Sequence, residues 1–172
     1  LIPSGLLHPG KIGLLGNGVV IDPQALLDEM NRLRARGVDV LRAVKVSDQA
    51  HVIFPYHKRL DLLEEASRTG RLGTTGRGIG PCYVDKVARC GIRVAELCNP
   101  SAFPERLRRA LADKNRLLDA IYHEPPEVYE DLLARYSEYA RLLRPHVVSG
   151  IRFLREAMAQ GKRILFEGAQ GT

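Results

Sequence analysis

Residues 73–89 read GTTGRGIGPCYVDKVAR, and this stretch joins a glycine-rich loop to a helical pattern. Four glycines, two threonines and three cationic side chains stand in one short span. Glycine lets backbone N–H groups approach a ligand closely, while hydroxyl and cationic groups add donors and positive charge. We therefore predict an anion-binding loop, with phosphate as the natural ligand, in preference to a glycine-rich turn with solvated charges. The loop candidates are Thr74, Thr75, Gly76 and Arg77.

The second half of the stretch predicts a helix. Pro81 suits the turn just before it, and the pattern continues from Tyr83 to Arg89. Lys86 and Arg89 are three residues apart, so we expect them to share one helix face.

Upstream of the loop, the pattern alternates between strands and helices. Residues 11–21 predict a strand interrupted by a turn or bulge. Asp22 and Pro23 then predict a helix N-terminus, and Gly37 predicts its end. Residues 38–46 predict a second strand. A further helix is predicted over 57–69, leading directly into the loop.

Downstream of residue 100 the sequence pattern predicts mainly helices. Residues 101–122 and 127–160 predict long helices separated by a Pro-Pro pair, and 162–168 predict a return to strand. The fold class is therefore α/β, with a mostly parallel sheet as its core. We expect one domain, in which 1–100 and 161–172 form the core and 101–160 form a helical insertion.

Composition narrows the function classes. The 172 residues are 45% hydrophobic and 27% charged, which is typical of a folded globular domain. The net charge of +6 is compatible with phosphorylated small molecules, nucleic acid or anionic membranes. Aromatic residues make up only 6% and do not alternate with the cations, so we expect no nucleic-acid partner. No apolar run is long enough to span a bilayer, and we expect a cytoplasmic protein with no membrane partner.

The cysteine and histidine residues do not indicate a disulfide framework or a metal site. The three cysteines, Cys82, Cys90 and Cys98, predict neither a disulfide framework nor a zinc site. Cys82 lies inside the loop stretch, where either alkylation sensitivity or an inert thiol is compatible with the sequence. The histidines show no metal-ligand spacing and are interpreted as surface or capping residues; they are His8, His51, His57, His123 and His146. We expect no metal site within this chain.

Residues 5–11, GLLHPGK, formally match the start of a P-loop. Isoleucine follows where a Ser or Thr should hold Mg²⁺, and a strand pattern rather than a helix comes next. We reject this match.

Four blocks of the chain together resemble one enzyme family. Residues 78–89 are similar to the signature G-I-G-P-x-Y-x-x-K-x-x-R of adenylosuccinate synthetase. Three other blocks occur in the family's order, and they are LIPSG at 1–5, GNGVV at 16–20 and FEGAQGT at 166–172. The resemblance spans the whole chain but only a middle portion of the family's usual length.

The resemblance implies a P-loop-NTPase-like fold and a ligase. The family joins IMP and L-aspartate using GTP and Mg²⁺, through 6-phosphoryl-IMP, in AMP synthesis. By resemblance, Thr75 and Gln170 bind IMP, and Arg89 reaches the IMP phosphate of the neighbouring subunit in a homodimer. Lys86 lies at the centre of the signature, and we predict that it is catalytic, although a phosphate-binding lysine would look the same in sequence.

Much of the family's machinery has no counterpart between residues 1 and 172. The N-terminal nucleotide loop, the upstream catalytic aspartate and histidine, and the C-terminal region are the parts without a match. We therefore expect the 172 residues by themselves to be inactive. The alternative interpretation is a non-catalytic nucleotide- or phosphate-binding module, and a basic nucleic-acid binder is a weaker third.

Overall fold

The computed structural model describes residues 2–70 and 73–168. Five strands are found there: β1 Gly13–Leu15, β2 Val20–Ile21, β3 Val44–Ser47, β4 His51–Val52 and β5 Val147–Val148. The helices of the same residues are α1 Pro23–Ala35, α2 Val40–Ala43, α3 Pro55–Ser67, α4 Ile79–Val87, α5 Val94–Leu97, α6 Phe103–Tyr122, α7 Tyr129–Leu143 and α8 Gly150–Ala159. Short 3₁₀ turns cover Ser4–Leu7 and Arg144–His146.

The strands form two small parallel sheets. In the first, the order is β1-β3-β5, so β3 lies between the other two strands. The second pairs β2 with β4, also in parallel. Parallel strands need crossover connections, and helices supply them here. The predicted α/β class with a parallel core is confirmed.

Helix α1 begins and ends where its sequence predicts. The Asp22 side chain accepts hydrogen bonds from the backbone N–H groups of Gln24 and Ala25, while Pro23 occupies the first turn, where its missing N–H costs nothing. The helix ends at Ala35, and Gly37 follows with a φ of +82°. Positive φ is the conformation that glycine adopts without a Cβ clash, so Gly37 suits the exit from this helix.

Three predicted strand or helix segments differ from the structure. The strand predicted over 38–46 begins only at Val44, because Asp39 caps the short helix α2 first. The helical prediction over 127–160 is wrong at β5, which pairs with β3. Residues 162–168 form no strand with any described neighbour, and the Leu165 and Phe166 side chains are 89% and 82% exposed. A strand requires a partner for its backbone groups, and none of the described strands provides one.

The hydrophobic core joins the sheets to the downstream helices. Phe54, which precedes α3, stacks on Tyr136 of α7 at 4.3 Å and on Phe103 of α6 at 6.4 Å between ring centroids. The Tyr136 hydroxyl also donates to the Ile53 carbonyl at 2.9 Å. Helices α6 and α7 are therefore packed onto the α/β core through aromatic contacts. The division into a core and an insertion over 101–160 stays a proposal, and β5 adds that part of this segment belongs to the sheet.

Candidate functional site

The predicted anion loop, residues 73–78, lies against helix α3 and is fixed at both ends by carboxylates. Glu65 accepts a hydrogen bond from the Gly73 N–H at 2.8 Å, and Asp61 accepts one from the Gly78 N–H at 2.9 Å. These two glycine N–H groups are consequently not available to a ligand. The sequence pattern suggested that the glycines supply donors, and for these two the structure corrects that expectation.

The donors that remain lie between these two anchors. The backbone N–H groups of residues 74–77 form no hydrogen bond with the residues that the structure describes. The same holds for the Thr74 and Thr75 hydroxyls and the Arg77 guanidinium, all of which belong to exposed residues. Helix α4 follows at once, so its N-terminal N–H groups and the positive end of its dipole point toward the same loop. This cluster of donors can hold a phosphate group.

Two glycines of the loop are required by geometry. Gly78 has a φ of +73°, and a Cβ there would lie 2.7 Å from the Lys58 backbone nitrogen on α3. Gly76 has a φ of +62°, and its Cβ would meet the end of the Leu62 side chain at 2.9 Å. Close backbone approach at Gly78 lets the loop and α4 pack directly on α3.

Lys86 lies on α4 with its ammonium directed at another loop. Its Nζ atom donates to the carbonyl oxygens of Asn17 at 2.9 Å and Gly18 at 3.2 Å, in the turn between β1 and β2. The hydroxyl of Tyr83 donates to the same Gly18 carbonyl at 2.9 Å. Two of the sequence blocks, GNGVV and the signature helix, are thereby joined in space. Sequence order could not reveal this contact, because some 65 to 69 residues separate the partners.

Arg89 does not share a helix face with Lys86. Helix α4 ends at Val87, and Arg89 adopts a left-handed φ of 62° after the turn. Gly78 precedes α4 and Arg89 follows it, so the two residues lie at opposite ends of this nine-residue helix. The expectation that Lys86 and Arg89 share one helix face is therefore wrong, because Arg89 lies outside the helix. Its guanidinium forms no ion pair or hydrogen bond with the residues that the structure describes.

Beneath the loop, α3, α4 and α6 meet at a buried charged cluster. We define the Asp85 cluster as His57 of α3, Asp85 of α4 and Lys114 of α6. His57 Nε2 lies 3.0 Å from Asp85 Oδ2, and Lys114 Nζ lies 2.5 Å from Asp85 Oδ1. The His57 and Asp85 side chains are almost fully buried, and that of Lys114 is 15% exposed. Sequence reasoning missed this cluster, since its members stand on three separate helices.

Burial and charge set the protonation states of the cluster. Burial alone would raise the pKa of Asp85, but hydrogen bonds from His57 and Lys114 overcome it, so the pKa lies below its ordinary value. Burial lowers the pKa of His57 and outweighs the opposing effect of Asp85, and the charge of Lys114 acts in the same direction as burial. Asp85 is therefore an anion and His57 is neutral at pH 7.

The remaining histidines and cysteines refine the sequence interpretation. His57 does cap α3, since its Nδ1 accepts from the Phe54 N–H, but it is buried, as are His51 and His146. The surface assignment is wrong for these three. Burial raises the pKa of the Cys82 thiol to about 12, which favours the inert thiol over an alkylation-sensitive one. All three cysteines are unpaired.

Comparison with known proteins gives the family. A family model described as adenylosuccinate synthetase matches residues 1–172, the whole chain. The chain belongs to the adenylosuccinate synthetase family. Adenylosuccinate synthetase of Halothermothrix orenii is 51% identical over the full chain, and that of Moorella thermoacetica is 49% identical. The chain spans about 40% of the length of these relatives.

A solved adenylosuccinate synthetase structure supports the fold. The fully ligated enzyme from Plasmodium falciparum superposes with a TM-score of 0.83 at 30% identity. The superposition covers 94% of this chain and 37% of the other. The predicted P-loop-like fold class is therefore confirmed. The rejected match at 5–11 is followed by strand β1 rather than a helix, as its rejection required.

Three further observations concern Gln170, membrane-spanning helices and metal sites. Gln170 lies outside the described residues, so the structure gives no position for it. None of the helices in the described ranges has the length and hydrophobicity to cross a bilayer. Within 2–70 and 73–168, no group of three or more His, Cys, Asp or Glu side chains is arranged to hold a metal ion.

Proposed function

We propose that the complete protein carrying this chain ligates IMP and L-aspartate to adenylosuccinate, with GTP as co-substrate and Mg²⁺ as cofactor. Membership of the adenylosuccinate synthetase family supports this proposal. Phosphoryl transfer to the purine 6-oxygen makes 6-phosphoryl-IMP, from which the aspartate amine displaces the phosphate. Purine synthesis toward AMP is the corresponding metabolic role, and a cytoplasmic location is part of the same proposal.

Within this chain, the anion loop is the proposed binding site for the IMP 5′-phosphate. The observation that carries this assignment is the run of unpartnered N–H groups at 74–77 beside the exposed Thr74 and Thr75 hydroxyls. Arg77 adds a positive charge at the same loop. Backbone amides at a helix N-terminus hold phosphate without further machinery, so Thr75 needs only to add a hydroxyl donor. Gln170 keeps its proposed role as a second IMP contact.

The contacts of Lys86 favour a positioning role. Its ammonium donates to the carbonyls of Asn17 and Gly18, and these contacts fix the turn between β1 and β2 relative to α4. The prediction that Lys86 is catalytic stays untested. These two hydrogen bonds leave the third N–H donor of the ammonium for a ligand near this turn.

Arg89 is proposed to act across a homodimer interface. It follows α4, whereas its own anion loop precedes that helix, and this separation favours a phosphate held by another copy. A guanidinium without a partner among the described residues is available to the site of a second copy. Dimerisation would then complete both IMP sites, and IMP affinity would depend on assembly.

Magnesium and GTP are proposed to contact other parts of the complete protein. Within this chain, the donors of the anion loop contribute phosphate binding. For the 172 residues alone, the alternative of a non-catalytic phosphate-binding module is supported by the same observation.

The test measures adenylosuccinate formation by the complete protein, with IMP, L-aspartate, GTP and Mg²⁺ omitted in turn. Product formation that requires all four supports the proposal. Failure of the complete, folded protein to form product under these conditions would overturn it. The isolated 172-residue chain serves as the comparison, and we expect it to form no product even where it binds IMP.

A further inference from the structure

The Asp85 cluster connects helix α6 to α3 and α4, the two helices that adjoin the anion loop. Asp85 lies on α4, one residue before Lys86, and its carboxylate is bound by groups from α3 and α6. Helix α3 also carries Asp61, whose carboxylate fixes the N–H of Gly78 at the start of α4. Helix α4 is therefore attached to α3 both at its N-terminus and in its last turn.

The position of the protons in the cluster follows from its hydrogen bonds. His57 Nδ1 accepts from the Phe54 N–H at 2.9 Å, so it carries no proton. The proton of the neutral ring is therefore on Nε2, which donates to Asp85 Oδ2. The charged and titratable groups facing His57 are Asp85 from α4, Lys114 from α6 and Tyr56 beside it on α3. Among the described residues, Lys114 is the one that supplies a positive charge to the buried carboxylate without disturbing the cap of α3.

We propose that Lys114 is a positioning residue for the IMP phosphate site: by neutralising buried Asp85, it keeps α4 packed on α3 and so holds the anion loop in its binding geometry. This inference rests on the proposed function for its kinetic consequence. It assigns to the downstream helix α6 a role in a site that α6 does not itself line. The contact of Arg106 Nη2 with the Gly91 carbonyl, at 3.0 Å, provides a second attachment of α6 just after α4.

Removal of Lys114 has a defined chemical consequence. A buried carboxylate without a cation is strongly disfavoured, so the His57–Asp85 pair must take up a proton or be exposed to water. A proton on His57 Nδ1 would face the Phe54 N–H donor and break the cap of α3. A proton on Asp85 would need a hydrogen-bond acceptor in place of the ammonium donor that is lost in Lys114→Met. Each of these costs is smaller than that of the unprotonated buried anion, which is drawn toward water and so loosens the contact between α3 and α4 and displaces the loop.

The experiment compares Lys114→Met, Lys114→Arg and Arg116→Met in the complete protein. Arg116 is on the same helix but exposed, and its one partner within the described part of the chain is the exposed Asp113, so it is the matched control. We expect Lys114→Met to raise KM for IMP on the order of tenfold, since small misplacements of binding groups have effects of this size. KM for GTP should change less than about twofold, because the anion loop is assigned to IMP. Lys114→Arg should restore most of the affinity.

The pH dependence separates charge compensation from lost packing. In Lys114→Met, proton uptake at low pH relieves the uncompensated carboxylate, so its KM for IMP relative to wild type should be larger at pH 8 than at pH 6. Comparison with wild type cancels the titration of the IMP phosphate itself. A ratio that is the same at both pH values, or one within twofold of unity, would overturn the proposal.

A double variant covers the case in which Lys114→Met does not fold. Asp85→Asn combined with Lys114→Met removes both charges, so it should be more stable than Lys114→Met alone. A double variant no more stable than the single one contradicts the proposal. If the wild type forms no adenylosuccinate, the proposed function fails, while the stability of these variants at pH 6 and pH 8 still tests the cluster.

Discussion

Replacement of Gly78 by alanine tests the close packing of the anion loop on α3. Gly78 has a φ of +73°, and an added Cβ would lie 2.7 Å from the Lys58 nitrogen and 2.8 Å from the His57 carbonyl carbon. Both neighbours are backbone atoms of a helix, so neither can rotate away. The left-handed conformation costs a residue with a Cβ about 1–2 kcal/mol. Overlap with fixed atoms adds about 1–3 kcal/mol, for a total of about 2–5 kcal/mol.

Gly80 provides the matched control two residues later. A Cβ at Gly80 would meet no atom within 4 Å, and its φ is not in the left-handed region. Alanine there should be neutral or should stabilise helix α4 by up to about 1 kcal/mol. Gly76→Ala should fall between the two, because its Cβ meets the flexible end of Leu62 rather than backbone.

The assay is chemical denaturation of the complete protein, in which the midpoints of the three variants are compared with wild type. Limited proteolysis near residues 73–78 reports on the loop directly. The expected order of midpoints is Gly80→Ala at or above wild type, then Gly76→Ala, then Gly78→Ala. Equal midpoints for Gly78→Ala and Gly80→Ala would refute the inference that close backbone contact fixes the loop on α3.

Three other predictions concern substrate binding and pH. Thr75→Ala should raise KM for IMP on the order of tenfold, since a hydrogen bond to a charged group contributes about 1.5–3 kcal/mol. The exposed Ser101→Ala is the control, and an unchanged KM in Thr75→Ala would argue against the loop assignment. Arg89→Ala should weaken IMP binding far more than it lowers stability. Mixing it with Thr75→Ala should restore activity, because one of the two sites in a mixed dimer is then complete, and no gain on mixing would count against the shared site. Finally, burial lowers the pKa of His51, His57 and His146 below 6.5, so the unfolded chain binds more protons. The free energy of unfolding should therefore be highest above about pH 6.5 and decrease as the pH falls toward the lower pKa values of the folded state. A urea midpoint that is no lower at pH 5.5 than at pH 7.5 would contradict this prediction.

The sequence by itself determined the family, the α/β class and the local elements with strong end signals. Asp22 and Pro23 begin α1 as predicted, since a cap is a contact between residues that are neighbours in the chain. The glycine-rich loop was also found from sequence, because donors and glycines concentrated in a few residues act locally. The four sequence blocks of the chain identified the family before any contact between them was known.

Tertiary structure alone decided which hydrogen-bond donors are used within the protein and which are available to a ligand. The N–H groups of Gly73 and Gly78 are bound by α3 carboxylates, and the ammonium of Lys86 is bound by the β1–β2 turn. The strand predicted over 162–168 has no described partner, because a strand depends on a neighbour that its own sequence does not contain. The Asp85 cluster was equally invisible, since burial and charge pairing arise only when three distant helices meet. Local signals could be interpreted directly from the chain, whereas long-range contacts depended on the packing of the whole fold.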